Sequence, residues 1–263
     1  TLKEAEIMVK EALRVAPPDK RSRLTRHIGA FNDFKGLFQG FTLAEVLITL
    51  GIIGVVAALT LPALINDKQN KELEAKYKKV YSVMQQALLK MSYDEGQEIT
   101  KENYNSPTKF LNIYRKYFIQ YIPCTKSRCD GYSVAESGQN LPKIYKTFNG
   151  KASIDSSYFD DTNTVIADGI EIMTNGDYIT YGINLTVDIN GHKTKPNKWG
   201  YDLFTFQMVK GKLVPMGGDG TVYYNQNLTP DLYCNKNNSS SRNGLTCAAK
   251  ALSDTNYFKN LPK

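Results

Sequence analysis

The chain has 263 residues, 41% hydrophobic and 22% charged, with 33 Lys/Arg against 26 Asp/Glu and a formal net charge of +7. That length accommodates one globular domain of ordinary size together with an extended segment. The positive excess is too diffuse for a nucleic-acid surface. With two His, no G-x-S-x-G, no phosphate-binding loop and no metal triad, the sequence carries no enzyme signature.

Residues 1–40 hold eight Lys/Arg against five Asp/Glu. Leu2 to Val15 has helix-forming composition, and Pro17-Pro18 ends it. Lys20, Arg21, Arg23, Arg26 and Lys35 all lie N-terminal to a long apolar run. By the positive-inside rule this places residues 1–40 on the cytoplasmic side and everything after the run outside.

The run itself opens on Gly40-Phe41-Thr42-Leu43-Ala44-Glu45 and continues without a charge from Val46 to Ile65. As a helix, Phe41 to Ile65 would extend roughly 37 Å, more than the ~30 Å hydrocarbon core of a bilayer. A lone carboxylate at the edge of such a segment is costly unless something pairs with it. A cleaved secretory signal has a shorter apolar core and its cleavage site after the core; here the small residue stands before it.

This segment resembles the prepilin-type cleavage and methylation motif of type IV pilins and type II secretion pseudopilins. The resemblance implies cleavage by a prepilin peptidase between Gly40 and Phe41, removal of residues 1–40 as a leader, and N-methylation of Phe41. Glu45 matches the acid of the motif, Gly51 and Gly54 its small helix residues, and Pro62 its helix-bending proline; Gln39 stands where the family has a basic residue. It further implies an inner-membrane protein with a single span, 41–65, whose C-terminal head faces the periplasm or the exterior. Its partners would be other pilin or pseudopilin subunits and an inner-membrane platform protein with its assembly machinery. The expected role is a structural subunit of a type II secretion pseudopilus or type IV pilus; the alternative is a minor pilin or membrane-anchored adhesin at a filament tip. Physically, an ammonium on Phe41 of one subunit would neutralise Glu45 of its neighbour and favour one axial stagger, since any other leaves buried charges unpaired.

After Pro62 the pattern becomes amphipathic. Leu73, Tyr77, Val80, Met84, Ala87 and Met91 recur at spacings of three and four, with Lys71, Glu74, Lys78, Lys79 and Lys90 between them. The spacing predicts a helix over 66–92 that continues the apolar helix through a bend at Pro62. Residues 93–162 form a variable region with a short helix from Pro107 to Tyr121. Over 163–216 the pattern turns β. Asp168-Gly169, Asn175-Gly176 and Lys210-Gly211 mark turns, and Thr164–Ala167, Ile170–Met173, Tyr178–Asp188, Leu203–Val209 and Leu213–Val214 read as strands. The expected fold class is α+β: a long N-terminal helix, half membrane-spanning and half amphipathic, packed on a small antiparallel sheet of four or five strands. The Asn/Ser-rich tail, 217–263, is expected to be irregular.

Four cysteines suit an exported domain. The nearest-neighbour pairing, Cys124 with Cys129 and Cys234 with Cys247, is favoured among three connectivities; spacings of four and twelve residues make a zinc site a poor alternative. One further cluster stands out, from Asp188-Ile189-Asn190-Gly191 to Pro196-Asn197-Lys198-Trp199-Gly200-Tyr201-Asp202. It resembles segments near the C-terminal end of pilin-like proteins, some of which hold a structural calcium. Asp188, Asn190 and Asp202 supply hard oxygens for such an ion. Against this, Lys193, Lys195 and Lys198 repel a cation, and an Asn-Gly turn capped by Asp188 explains the residues without a metal. The turn is the favoured reading, and otherwise no cofactor is expected.

Overall fold

The computed structural model describes residues 41–124, 143–158, 161–174, 182–225 and 232–262. Its first element, α1, runs from Leu43 to Glu95, 53 residues, and passes through Pro62 without ending. The chain divides between Pro62 and Ala63 into two units. In the first, the large apolar side chains from Leu43 to Leu61 are all exposed. Thr60, two residues before Pro62, turns its hydroxyl back to the Val56 carbonyl at 2.9 Å.

The second unit is α+β. Its sheet has six strands in the order of the sequence, every neighbouring pair antiparallel. They are β1 (Tyr121–Pro123), β2 (Thr162–Ile166), β3 (Glu171–Thr174), β4 (Asn184–Asp188), β5 (Leu203–Val209) and β6 (Lys212–Pro215). The turns behave as their residues dictate. Asp168 and Gly169 have φ of 62° and 72°, and Lys210 and Gly211 of 48° and 71°. Paired positive φ matches the right-handed twist of a hairpin, and Gly takes it without a Cβ penalty. The expected Asn175-Gly176 turn and the start of its following strand lie outside the described residues.

All six apolar residues of the stripe on α1 are buried, together with Leu88. They face Ile172, Leu185, Val187, Phe204, Phe206 and Met208 of the sheet in one core. Tyr77 sits between the Phe204 and Phe206 rings, at 4.4 and 6.1 Å between centroids, and its hydroxyl donates to the Ala248 carbonyl at 2.6 Å. Alternate strand residues point the other way. Met173 and Leu203 meet Tyr145, Ile154, Tyr158, Trp199, Tyr223 and Leu245 in a second core. The sheet is therefore covered on both faces, which is why β4 and β5 are buried at nearly every position.

Three expectations are corrected. The helix from Pro107 stops at Tyr114 (α2); a 3-10 turn follows, and Tyr121 belongs to the edge strand β1. The Thr164↔Pro123 to Ile166↔Tyr121 pairing with β2 gives the end of this stretch backbone partners that a helix would forgo. The sheet gains a sixth strand in the same way. The tail is ordered rather than irregular: α3 (Val222–Asn225) and α4 (Cys247–Ser253) form, and Leu245, Cys247, Ala248, Ala251, Tyr257 and Phe258 are buried. Its polar residues bond inward; Asn243 Nδ2 donates to the carbonyls of Asn235 and Asn238 at 2.8 and 2.7 Å. Tail residues join both cores, and the Ala249 N–H reaches the Met216 carbonyl just beyond β6.

Candidate functional site

The first candidate site is the start of α1. Phe41 is 87% exposed. Thr42 and Glu45 form a reciprocal cap: the Glu45 N–H donates to Thr42 Oγ1 at 3.2 Å, while Glu45 Oε2 accepts from the Thr42 N–H at 2.8 Å and its hydroxyl at 2.9 Å. This is a capping box, in which two N–H groups at the helix start acquire acceptors. It follows from the spacing Thr-x-x-Glu, a signal present in the sequence but overlooked beside the membrane motif. Oε2 accepts both bonds to the carboxylate, and Oε1 accepts none among the described residues. From there to Ile65 no charge occurs, and α1 is long and apolar enough to cross a membrane. A Cβ built on Gly51 or Gly54 meets nothing within 4 Å among the described residues, so none of them calls for glycine there.

The second candidate is the loop between β4 and β5. Asp188, fully buried, accepts through Oδ1 from the N–H groups of Asn190 (3.1 Å) and Gly191 (2.8 Å), and through Oδ2 from the Tyr145 hydroxyl (2.8 Å). Asp202 accepts the N–H groups of Asn197 and Lys198, each at 2.7 Å. The two aspartates thus tie the two ends of the loop, and Glu171 on β3, opposite Asp188 in register, pairs with His192. Burial, with the Asp202 and Glu171 charges nearby, holds the Asp188 carboxyl well above the usual carboxylate range. Burial also lifts Asp202 to about 6, against backbone N–H bonds that pull it down.

Every carboxylate oxygen of Asp188 and Asp202 therefore already faces an N–H or O–H donor, an arrangement that stabilises a turn and turns the oxygens away from the role of calcium ligands. Asn190 donates to the Lys195 carbonyl, and its Oδ1 is buried without a partner among the described residues, as are Asn197 Oδ1 and Glu171 Oε2. We read Asp188, Asn190 and Asp202 as turn residues.

The loop also anchors the tail. Trp199 is fully buried and donates from Nε1 to Thr205 Oγ1 at 3.2 Å. Gly200, φ +80°, leaves room that a Cβ would fill, lying 2.7 Å from Phe148, 2.7 Å from the Tyr257 hydroxyl and 2.9 Å from Cys247 Sγ. Cys247 is bonded to Cys234. Cys124 is disulfide-bonded too; its expected partner, Cys129, lies outside the described residues.

With this geometry in hand, residues 63–258 match the model of a family of unknown function, DUF6613. The chain belongs to that family. No curated protein and no solved structure matches it. The DUF6613 match begins at Ala63, where the second unit begins, so it takes in the packed part of α1, the sheet and most of the tail, and leaves the segment around Gly40, Phe41 and Glu45 outside.

Proposed function

We propose that this DUF6613 member is a prepilin-like structural subunit, cut by a prepilin peptidase between Gly40 and Phe41 and assembled through the start of α1 into a pseudopilus or pilus. The observation that carries the reading is the lone Glu45 in an apolar helix segment that no described residue covers. A carboxylate at membrane depth costs a few kcal/mol on insertion scales. The capping box supplies N–H and O–H donors to Oε2, yet it supplies no cation. An ammonium created at Phe41 on a neighbouring subunit is the counter-charge the arrangement lacks, and Oε1 is the atom left to receive it.

Two further features support the proposal. Gly51 and Gly54 would let a second helix approach the backbone closely, as small residues do between helices in lipid. By the positive-inside rule the basic residues before the run favour an outward-facing DUF6613 unit, and disulfides persist in such a compartment. In this account the sheet and tail form the subunit's head, with other subunits and an inner-membrane platform protein as its partners.

Mass measurement of the membrane-extracted protein tests the reading. The expected N-terminal peptide begins at Phe41 with one methyl group on its nitrogen. A chain retaining residues 1–40, or one starting after Ala57 or Ala63, contradicts it.

A further inference from the structure

Where α1 leaves its apolar run, the second unit holds a groove of about 620 Å3. Ala63 and Asn66 line one end of it, and Leu64 and Ile65, on the same turn, are exposed apolar residues. The wall is apolar where Leu73, Tyr201, Leu261 and Pro262 meet, and Asn66, Gln69 and Asn70 add amides along α1. Lys195 reaches the groove from the β4–β5 loop and Lys259 from the tail. Both lysines are exposed, and neither lies within ion-pair distance of a carboxylate among the described residues. Lys76 lines the groove as well, three residues beyond Leu73 on α1. Of the two acids in the lining, Glu72 is 3.8 Å from Lys68 on the helix surface, and Asp67 forms no ion pair among the described residues.

We propose that this groove seats a glycerophospholipid of the membrane that α1 enters, with its phosphate between Lys195 and Lys259 and its glycerol end toward Ala63 and Asn66. The proposal rests on the membrane-spanning reading of 41–65. Folding brings two uncompensated ammonium groups from residues 64 positions apart to one groove, which an anion relieves. The groove opens within one turn of the last apolar residues, where the available anions are lipid phosphates. An apolar wall with a cationic rim matches the amphipathic character of that ligand better than that of a free anion. Lysine stems are long enough to keep the ammonium at the interface while packing along apolar surface.

The test uses the full chain in a neutral detergent, with native mass spectrometry counting bound lipid. Phosphatidylglycerol, diacylglycerol of the same chains and inorganic phosphate are the probes. The parent is expected to retain one phosphatidylglycerol and to release diacylglycerol, and equimolar inorganic phosphate should not displace the lipid. Lys195→Gln with Lys259→Gln should lower retention by about fivefold for each lysine removed. Both side chains are exposed, so circular dichroism and melting should match the parent. Equal retention by the double variant, equal retention of diacylglycerol, or displacement by inorganic phosphate would overturn the proposal. A parallel alkaline wash of vesicles carrying the chain separates the two readings. Loss of the protein from the vesicles removes the anchor and this proposal together, whereas a retained protein with lysine-independent lipid binding removes the lipid site alone.

Discussion

At Gly200 three segments come within reach of a single absent methyl group. Its φ of +80° suits glycine, and the space a Cβ would occupy is closed by Phe148, the Tyr257 hydroxyl and Cys247 Sγ, all within 2.9 Å. Gly200→Ala therefore carries both backbone strain and overlap, and we expect it to destabilise the fold by roughly 2–4 kcal/mol, read as a drop in melting temperature. An unchanged melting temperature would mean that the tail does not pack there. Asp202 supplies a second residue-scale expectation. Burial raises its folded value to about 6 from an ordinary 3.8, so the folded chain holds a proton that the unfolded chain releases. Its contribution is fully present below about 3.8 and is lost as pH rises through about 6. Asp202→Asn sets an amide N–H2 against one of the two N–H groups at every pH, a loss of about 1–3 kcal/mol. The advantage of the parent over this variant should thus shrink between pH 4 and pH 7 in paired thermal melts; a constant difference would contradict the burial argument. Because the oxygens of Asp188 and Asp202 are engaged by N–H and O–H donors, EDTA should leave the melting temperature unchanged, and a fall on chelation would restore calcium.

Among the elements, the tail depends most on its cross-link. Cys234 and Cys247, 13 residues apart, join the Asn/Ser-rich loop to α4. Replacing both with Ala should cost about 3 kcal/mol in the chain-entropy description. Chemical denaturation would show this as a lower midpoint, and an unchanged midpoint would indicate that the tail is held by its buried side chains alone. The elements also show what local pattern conveys. The α1 stripe was legible because one face of a helix buries residues at intervals of three and four, and each of its six members is in the core. The β5–β6 hairpin was legible because Lys210-Gly211 separates two apolar runs. The tail was not, since Leu245, Cys247, Ala248, Ala251, Tyr257 and Phe258 follow no single period and serve two cores on opposite faces of the sheet. β1 was missed because three residues are too few for alternation to register, and its pairing with β2 is a long-range fact.

On the scale of the whole molecule, the chain joins an apolar segment with one carboxylate to a disulfide-closed α+β unit that carries the family match. The apolar run from Val46 to Ile65 was readable from composition, whereas the roles expected of Gly40, Phe41, Glu45 and Pro62 rest on the motif the segment resembles. The Thr42–Glu45 cap was equally present in the letters and needed only the Thr-x-x-Glu spacing to be noticed. By contrast, no local pattern announces that Asp188 and Asp202 hold the two ends of one loop, because their partners are backbone N–H groups placed by the fold. The account assigns Glu45 to assembly and the second unit to the subunit's body, so the two should fail separately. Glu45→Ala removes a carboxylate outside both cores and should leave membrane insertion and head stability intact. In a filament it would leave a neighbour's Phe41 ammonium buried without a partner, at a cost of several kcal/mol. The most direct measurement is the yield of each protein in sheared filaments from cells that insert both equally into the membrane. The account predicts that Glu45→Ala falls at least about tenfold below the parent in that fraction. Equal incorporation would contradict it and leave 41–65 as a simple anchor.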